Sequence, residues 1–215
     1  PELLRFVGQS AVASTLLASR STLPALLVGV VAPATQVADF RAAQAPQTGF
    51  SAASGPARLF LLTEQTHDVE HGRLDRVRAM LRTYMLTTAA LMVVAVPPLW
   101  IWMDDVLSFL YGARYASAAG PARLILLAAA IQLVWGWSKT LPVSIGRPGL
   151  RLLANGLEIA TLVPLVLVLA DRSGAEGAAA AVLASTIVLA AVWTLLLVRL
   201  RGVLVSPSEM RPASR

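Results

Sequence analysis

Seven polar side chains stand in otherwise apolar stretches and could do chemistry there: Gln9, Arg20, Asp39, Arg41, Gln44, Arg58 and Glu158. Arginine keeps its charge when partly buried and meets phosphate oxygens with a planar two-donor fork. Glutamine, with nearby Ser and Thr, can hydrogen-bond sugar hydroxyls. At about 100° per residue, Arg5, Gly8, Gln9, Thr15, Ser19 and Arg20 share one side of a helix. Arg41, Gln44, Thr48, Ser51, Gly55 and Arg58 fall within roughly 100° of arc, provided Pro46 does not shift the phase. Asp39 points the other way, toward a neighbouring helix or Arg41. Glu158 follows Asn155 and precedes Thr161 on nearby faces. Arg20, Arg41, Arg58, Gln9 and Gln44 are therefore candidate substrate ligands, and Asp39 and Glu158 candidate coupling or packing groups. The bland alternatives are that Arg5 and Arg58 snorkel to headgroups and that Glu158 makes a helix-packing hydrogen bond.

Other patterns carry less. His67-Asp-Val-Glu-His71 matches the H-x-x-E-H pattern of a zinc peptidase. It is short, sits in a charged connection and runs into Gly72 and a basic stretch, so no metal site is expected. Arg73 to Arg82, with Leu74, Val77 and Leu81 interleaved, reads as an interfacial segment on anionic headgroups rather than a nucleic-acid patch. Asp104-Asp105 reads as a solvated helix end, and Trp100, Trp102, Trp135, Trp137 and Trp193 mostly as interface anchors or lipid-facing surface. With no cysteine, there are no disulfides or thiolate metal sites. No phosphate loop or catalytic triad appears, so no cofactor and no enzyme activity are expected.

The elements that hold these residues are set by hydropathy. The 215 residues are 56% hydrophobic and 14% charged, against roughly 25% charged in soluble domains. Residues 178–198 carry no charge, and 150–170 carry only Arg151 and Glu158. About 20 apolar residues cross a bilayer. Six spans are expected, near 3–31, 35–62, 80–102, 121–141, 150–170 and 177–199, forming one bundle over 1–201 with a short tail, 202–215. The predicted fold is all-α, a polytopic membrane helix bundle. Pro24 is expected to kink or end the first span, and Pro46 and Pro56 interrupt the second. Twelve basic residues lie in connections and ends on one side of such a bundle, and two, Arg114 and Arg172, on the other. The positive-inside rule then puts both ends in the cytoplasm. Arg20, Asp39, Arg41 and Arg58 would together cost on the order of 10 kcal/mol facing lipid. The first two spans are therefore expected to line a wet, cationic cavity, with spans four to six as lipid-facing scaffold. The chain opens on Pro1 rather than Met, so a longer coding sequence is expected.

Three segments, in order, carry a resemblance: Val106-Leu-Ser-Phe-Leu-Tyr-Gly-Ala-Arg-Tyr-Ala-Ser-Ala-Ala119, Ile145-Gly-Arg-Pro-Gly149 and Gly174-Ala-Glu-Gly-Ala-Ala-Ala180. With the basic stretch from His71 to Arg82 as the inner linker, they resemble the C-terminal half of the polysaccharide-flippase (Wzx-type) branch of the MOP superfamily, which also holds the MATE exporters and lipid II flippases. The resemblance covers nearly the whole chain. It implies one half of a MATE-like transporter in the bacterial cytoplasmic membrane. It also implies movement of undecaprenyl-pyrophosphate-linked oligosaccharide by alternating access, with the missing N-terminal half or a second copy as partner. Its general character includes a cationic central cavity, which Arg20, Arg41 and Arg58 match by charge type.

Three other readings compete. One is another exporter of the same superfamily, for a drug or lipid II. Another is a membrane enzyme of envelope synthesis, disfavoured because the largest outer connection is only about Met103 to Gly120. The last is a fragment without activity.

Overall fold

The structure is a computed structural model that describes residues 22–144 and 148–203. Every regular element among them is helical. From Thr22, α1 runs to Val31, and Ala32-Pro33 turns the chain into α2, Ala34–Ala43. Then come α3, Ala45–Ala53, and α4, Gly55–Glu70. These three are one interrupted run. Pro46 and Pro56 lack the N–H that would return to the carbonyls of Ala42 and Ala52, so the helix breaks at Gln44 and Ser54. The expected single span at 35–62 is thus three helices that continue to Glu70.

Across Gly72, α5 spans Leu74–Ile101. The basic stretch that read as an interfacial segment forms its N-cap and first turns. An amphipathic helix, α6 (Met103–Tyr111), and a 3-10 segment at Ala113–Ala118 fill the next connection. Gly112, with φ +95°, ends α6, and the Tyr115 N–H donates to its carbonyl at 3.0 Å. The Gly-x-x-Tyr step of the first resembling segment is therefore a turn device. The helix α7, Ala119–Val134, stops seven residues short of the expected 141. A 3-10 turn at Gly136–Lys139 and the short α8, Leu141–Ser144, follow. Finally α9, Pro148–Val203, breaks at Ser173 and Gly174 into limbs 148–172 and 175–203. The second limb reaches two residues into the expected tail; the rest of the tail, like Ile145 to Arg147 of the second resembling segment, lies outside the described residues.

Three helices are long and apolar enough to cross a membrane: Asp75–Ile101, Ala113–Val134 and Gly149–Leu196. The last takes in most of both limbs of α9, which are about 37 and 43 Å long at 1.5 Å per residue. The limbs fold back on each other. Leu162, Val166 and Ala170 share a core cluster with Ala175, Ala178, Ala179 and Val182. The turns alternate between two ends of the bundle. At one end the Gln36 side chain accepts from the Ala175 N–H at 2.8 Å, and Arg123 pairs with Asp104 while its Nε donates to the Trp100 carbonyl at 3.0 Å. Arg123, placed within a span from sequence, and Asp104, read as a solvated helix end, are thus a clip joining α7 to the α5–α6 junction. At the other end Leu61, Val77, Leu81, Trp137, Leu141, Ala154 and Trp193 form one core.

Two lipid-facing expectations are corrected. About half (50%) of the apolar stretch of α7 is buried, against 11% of that of α5. Ala119, Ala122, Ala128, Ala129 and Ala130 let α7 sit close to its neighbours, whereas Leu86, Leu91, Val93 and Val94 of α5 point outward. Helix α7 is the hub, and α5 is the outward-facing one. Trp137 and Trp193 are buried, ring against ring in an edge contact at 5.9 Å, and Trp135 donates to the Thr194 hydroxyl at 3.1 Å. Only Trp100 and Trp102 are exposed, at the α5–α6 junction.

Candidate functional site

The interrupted run α2–α4 buries one side and shows the other. Phe40, Ala42, Ala43 and Leu61 are in the core, while Arg41, Thr48, Gly49 and Ser51 are exposed. Gln44 sits at the first break, half-buried, and its carbonyl accepts from both the backbone N–H and the hydroxyl of Thr48. At the second break the Ser54 hydroxyl donates to the Ser51 carbonyl at 3.2 Å. The carbonyls that the prolines leave short, of Ala42 and Ala52, are met instead by the backbone N–H groups of Gln44 and Ser54.

Beside that polar side lies a cleft between α3, α5 and α7, lined by Gln47, Ser51, Ser54, Tyr84, Gln132, Leu133 and Gly136. A chain of amides and a hydroxyl crosses it. Gln47 Nε2 donates to Gln132 Oε1 at 3.1 Å, and Gln132 Nε2 donates to Thr186 Oγ1 at 3.2 Å, so three helices share one network. The Tyr84 hydroxyl donates to the Leu133 carbonyl at 2.9 Å, in the last turn of α7. It can reach because Gly136 has no side chain: a Cβ there would overlap the phenol. No charged residue lines the cleft.

The sequence-derived candidates are thus separated. Arg41 is exposed on α2 and Asp39 half-buried, and the two form no ion pair. Glu158 is 3% exposed, in the interior of α9 one turn from buried Asn155, with the Thr161 hydroxyl donating to its carbonyl at 2.8 Å. Gln9 and Arg20, with the rest of the first span before Thr22, lie outside the described residues. Arg58 is placed in the first turn of α4, but its side chain lies outside what is described. The arc from Arg41 to Ser51 keeps the expected polar side despite Pro46, and it faces outward from this bundle.

Against known protein families, curated proteins and solved structures, the chain matches none.

The zinc-like segment has its own geometry. The rings of His67 and His71 lie with centroids 4.3 Å apart, tilted by 45°, and His71 Nδ1 donates to the His67 carbonyl at 2.8 Å. Among the described residues no three or more His, Cys, Asp or Glu side chains gather closely enough to hold a metal. The residue that matters in this segment is Asp68, 2% exposed. Its carbonyl accepts from the Arg73 N–H at 2.8 Å, and its carboxylate faces Arg73 and Arg76 at 3.9 and 3.7 Å. It pins the α4–α5 turn. The Gln65 amide, one turn earlier, is fully buried with both polar atoms unpaired.

Sequence reading missed Gln47, Tyr84, Gln132 and Thr186. Gln132 was the findable one: a lone amide in an apolar stretch, three residues before Trp-Gly-Trp, where the helix gives way.

Proposed function

We propose that this chain is one half, or a fragment, of a transporter that moves an undecaprenyl-pyrophosphate-linked oligosaccharide across the bacterial cytoplasmic membrane. The observation behind this reading is the interrupted run α2–α4. Its polar side, with Arg41, Thr48 and Ser51, is left open on the outside of the bundle rather than packed within it. A guanidinium facing hydrocarbon is costly, up to roughly 2.5–3.5 kcal/mol at the membrane centre and less toward the interfaces. Such a side is stable only against water, a polar ligand or another protein surface. In this reading it lines the translocation path, opposite the missing N-terminal half or a second copy. Arginines meet the pyrophosphate, neutral hydroxyls and amides meet the sugars, and the isoprenoid tail stays in the bilayer, so no enclosed apolar pocket is needed.

The reading requires six crossings: the first span with α1, then α2–α4, α5, α7 and the two limbs of α9, with both ends in the cytoplasm. Because the chain lacks cysteine, single-cysteine labelling reports this directly. His71 and Ser173 are exposed, at opposite ends of the bundle. A membrane-impermeant maleimide added to intact cells is expected to label Ser173→Cys at once and His71→Cys only after lysis. The reverse pattern, or equal labelling of both, would sink the topology.

The transport assignment is tested by complementation. Expressed in a strain lacking its own oligosaccharide flippase, the full-length parent protein is expected to restore surface polysaccharide and prevent build-up of the lipid-linked precursor on the inner leaflet. Normal membrane levels with no rescue, across strains that make different repeat units, would overturn it.

A further inference from the structure

We propose that α6 lies along the bilayer interface as a lipid anchor, with Trp102, Val106, Phe109 and Leu110 sunk among neutral lipids and Asp105 and Ser108 turned to water. The inference holds whatever the chain transports, because it rests on the placement and chemistry of α6 alone.

Placement follows from α5. Its apolar stretch, Asp75–Ile101, is 27 residues long. At 1.5 Å per residue that is about 40 Å, more than the roughly 30 Å of the hydrocarbon core. The chain has therefore finished its crossing when α6 begins at Met103. The nine residues of α6 are too few to cross again. Its start is tied down: Asp104 pairs with Arg123 of α7, whose Nε also donates to the Trp100 carbonyl at 3.0 Å. Met103 and Leu107 are buried against Ala118, Ala119 and Ala122. The helix is thus held on the end of the bundle, at the depth where hydrocarbon gives way to headgroups.

The two flanks of α6 differ in kind. At about 100° per residue, Val106, Phe109 and Leu110 fall within roughly 100° of arc on one side of the buried Met103–Leu107 seam. Asp104, Asp105 and Ser108 fall within a similar arc on the other side. The first flank is apolar and open: Phe109 is 89% exposed, Leu110 55%, and Trp102 at the N-cap 59%. It continues, through exposed Ile101, the outward side of α5 that carries Leu91, Val93 and Val94. That continuity names the occupant. If the outward side of α5 meets acyl chains, the flank of α6 carries the same surface past the last turn to the headgroup level. Tryptophan and tyrosine are favoured at that level, and Trp100, Trp102 and Tyr111 are all exposed there.

Charge narrows the lipid. Interfacial helices drawn to anionic lipid carry Lys and Arg on their polar face. In α6 that face is acidic: Arg123 answers Asp104, and Asp105 is offset only by Arg114 beyond Gly112. Nothing there attracts phosphatidylglycerol or cardiolipin. Apolar and aromatic contact alone holds the helix, so a zwitterionic leaflet suffices and salt has no part in it.

The experiment places a nitroxide on single cysteines in the purified full chain, reconstituted in phosphatidylcholine vesicles. Collisions with oxygen, which concentrates in lipid, are compared with collisions with a water-soluble nickel chelate. Labels at Phe109→Cys and Trp102→Cys are expected to meet oxygen several-fold more often than nickel. At Asp105→Cys and Ser108→Cys the order is expected to reverse. Adding phosphatidylglycerol or raising the salt is expected to leave these ratios unchanged. Should Trp102→Cys not fold, Leu110→Cys takes its place on the same flank. Nickel access at Phe109→Cys equal to that at Asp105→Cys would put α6 in water and overturn the proposal. Protection of the apolar flank from both reagents would overturn it too, by placing a second copy or another protein on that flank. A ratio that depends on phosphatidylglycerol or salt would make the contact electrostatic, against the neutral anchor.

Discussion

Replacing Gly177 by alanine is expected to remove most folded protein from the membrane, although it adds one methyl group to an alanine-rich helix. A Cβ at Gly177 would fall inside the van der Waals envelope of the Leu169 carbonyl and crowd the Ala170 nitrogen. Both are backbone of the facing limb, so no rotamer change relieves the overlap; the two limbs of α9 must move apart. That would strip contact from the cluster of Leu162, Val166, Ala170, Ala175, Ala178 and Val182. Overpacking a tight core costs typically 1–3 kcal/mol and more when backbone must shift, a large fraction of the stability of a domain. The matched control is Gly156→Ala on the first limb, where nothing lies within 4 Å of a new Cβ. There the change is expected to be neutral or to stabilise by up to about 1 kcal/mol through helix propensity. The measurement is the monodisperse peak of a fluorescently tagged protein on size exclusion, with its melting midpoint. Equal peaks for the two variants would show that the limbs do not pack as described.

The same glycines show what was legible in the sequence and what was not. Gly174 and Gly177 were noticed as part of a motif, and the structure supplies their physical reasons. Gly174 turns the chain with φ +57°, beside the Gln36 side chain that caps the next limb, and Gly177 allows close approach. Hydropathy located the long apolar helices and the turns between them, because about 20 apolar residues in a row have few other uses. What hydropathy could not show was which apolar helix faces lipid. Alanine and leucine both read as apolar, yet alanine makes α7 the hub and leucine and valine put α5 outside. Of the polar candidates, Glu158 lies in the interior and Arg41 on an exposed polar side that faces outward from this bundle. The cleft was invisible because its members come from four separate segments and none is charged. Gln47, Tyr84, Gln132 and Thr186 are joined only by the way the helices pack. The search for chemistry followed charge, and the amides and hydroxyl that join α3, α7 and α9 carry none.

Arg41→Ala and Arg58→Ala are each expected to abolish transport while leaving protein levels in the membrane near those of the parent. The two arginines are 17 positions apart on one interrupted helical run, or about 25 Å at 1.5 Å per residue. The hydrocarbon core is about 30 Å thick. On the proposed crossing of this run, one arginine lies toward each interface, with Thr48, Ser51 and the α3–α4 break between them. For an anionic headgroup crossing along this side, the pair provides a place to arrive and a place to leave, and the neutral middle avoids a trap at the centre. The same spacing also fits two arginines that merely snorkel to opposite headgroup layers. Lysine separates the two readings. A snorkelling role needs only a long charged side chain, so Arg→Lys would be silent in both positions. Holding pyrophosphate uses the planar fork, so lysine is expected to retain only part of the rate, with alanine near zero. Rescue of the flippase-deficient strain gives the activity, and quantitative blotting of membranes gives the level. Full rescue by both alanine variants would remove the arginines from the path. Loss of rescue that tracks loss of protein would make them structural anchors. Silent lysine variants with failing alanine variants would assign them to the membrane surface rather than to the substrate.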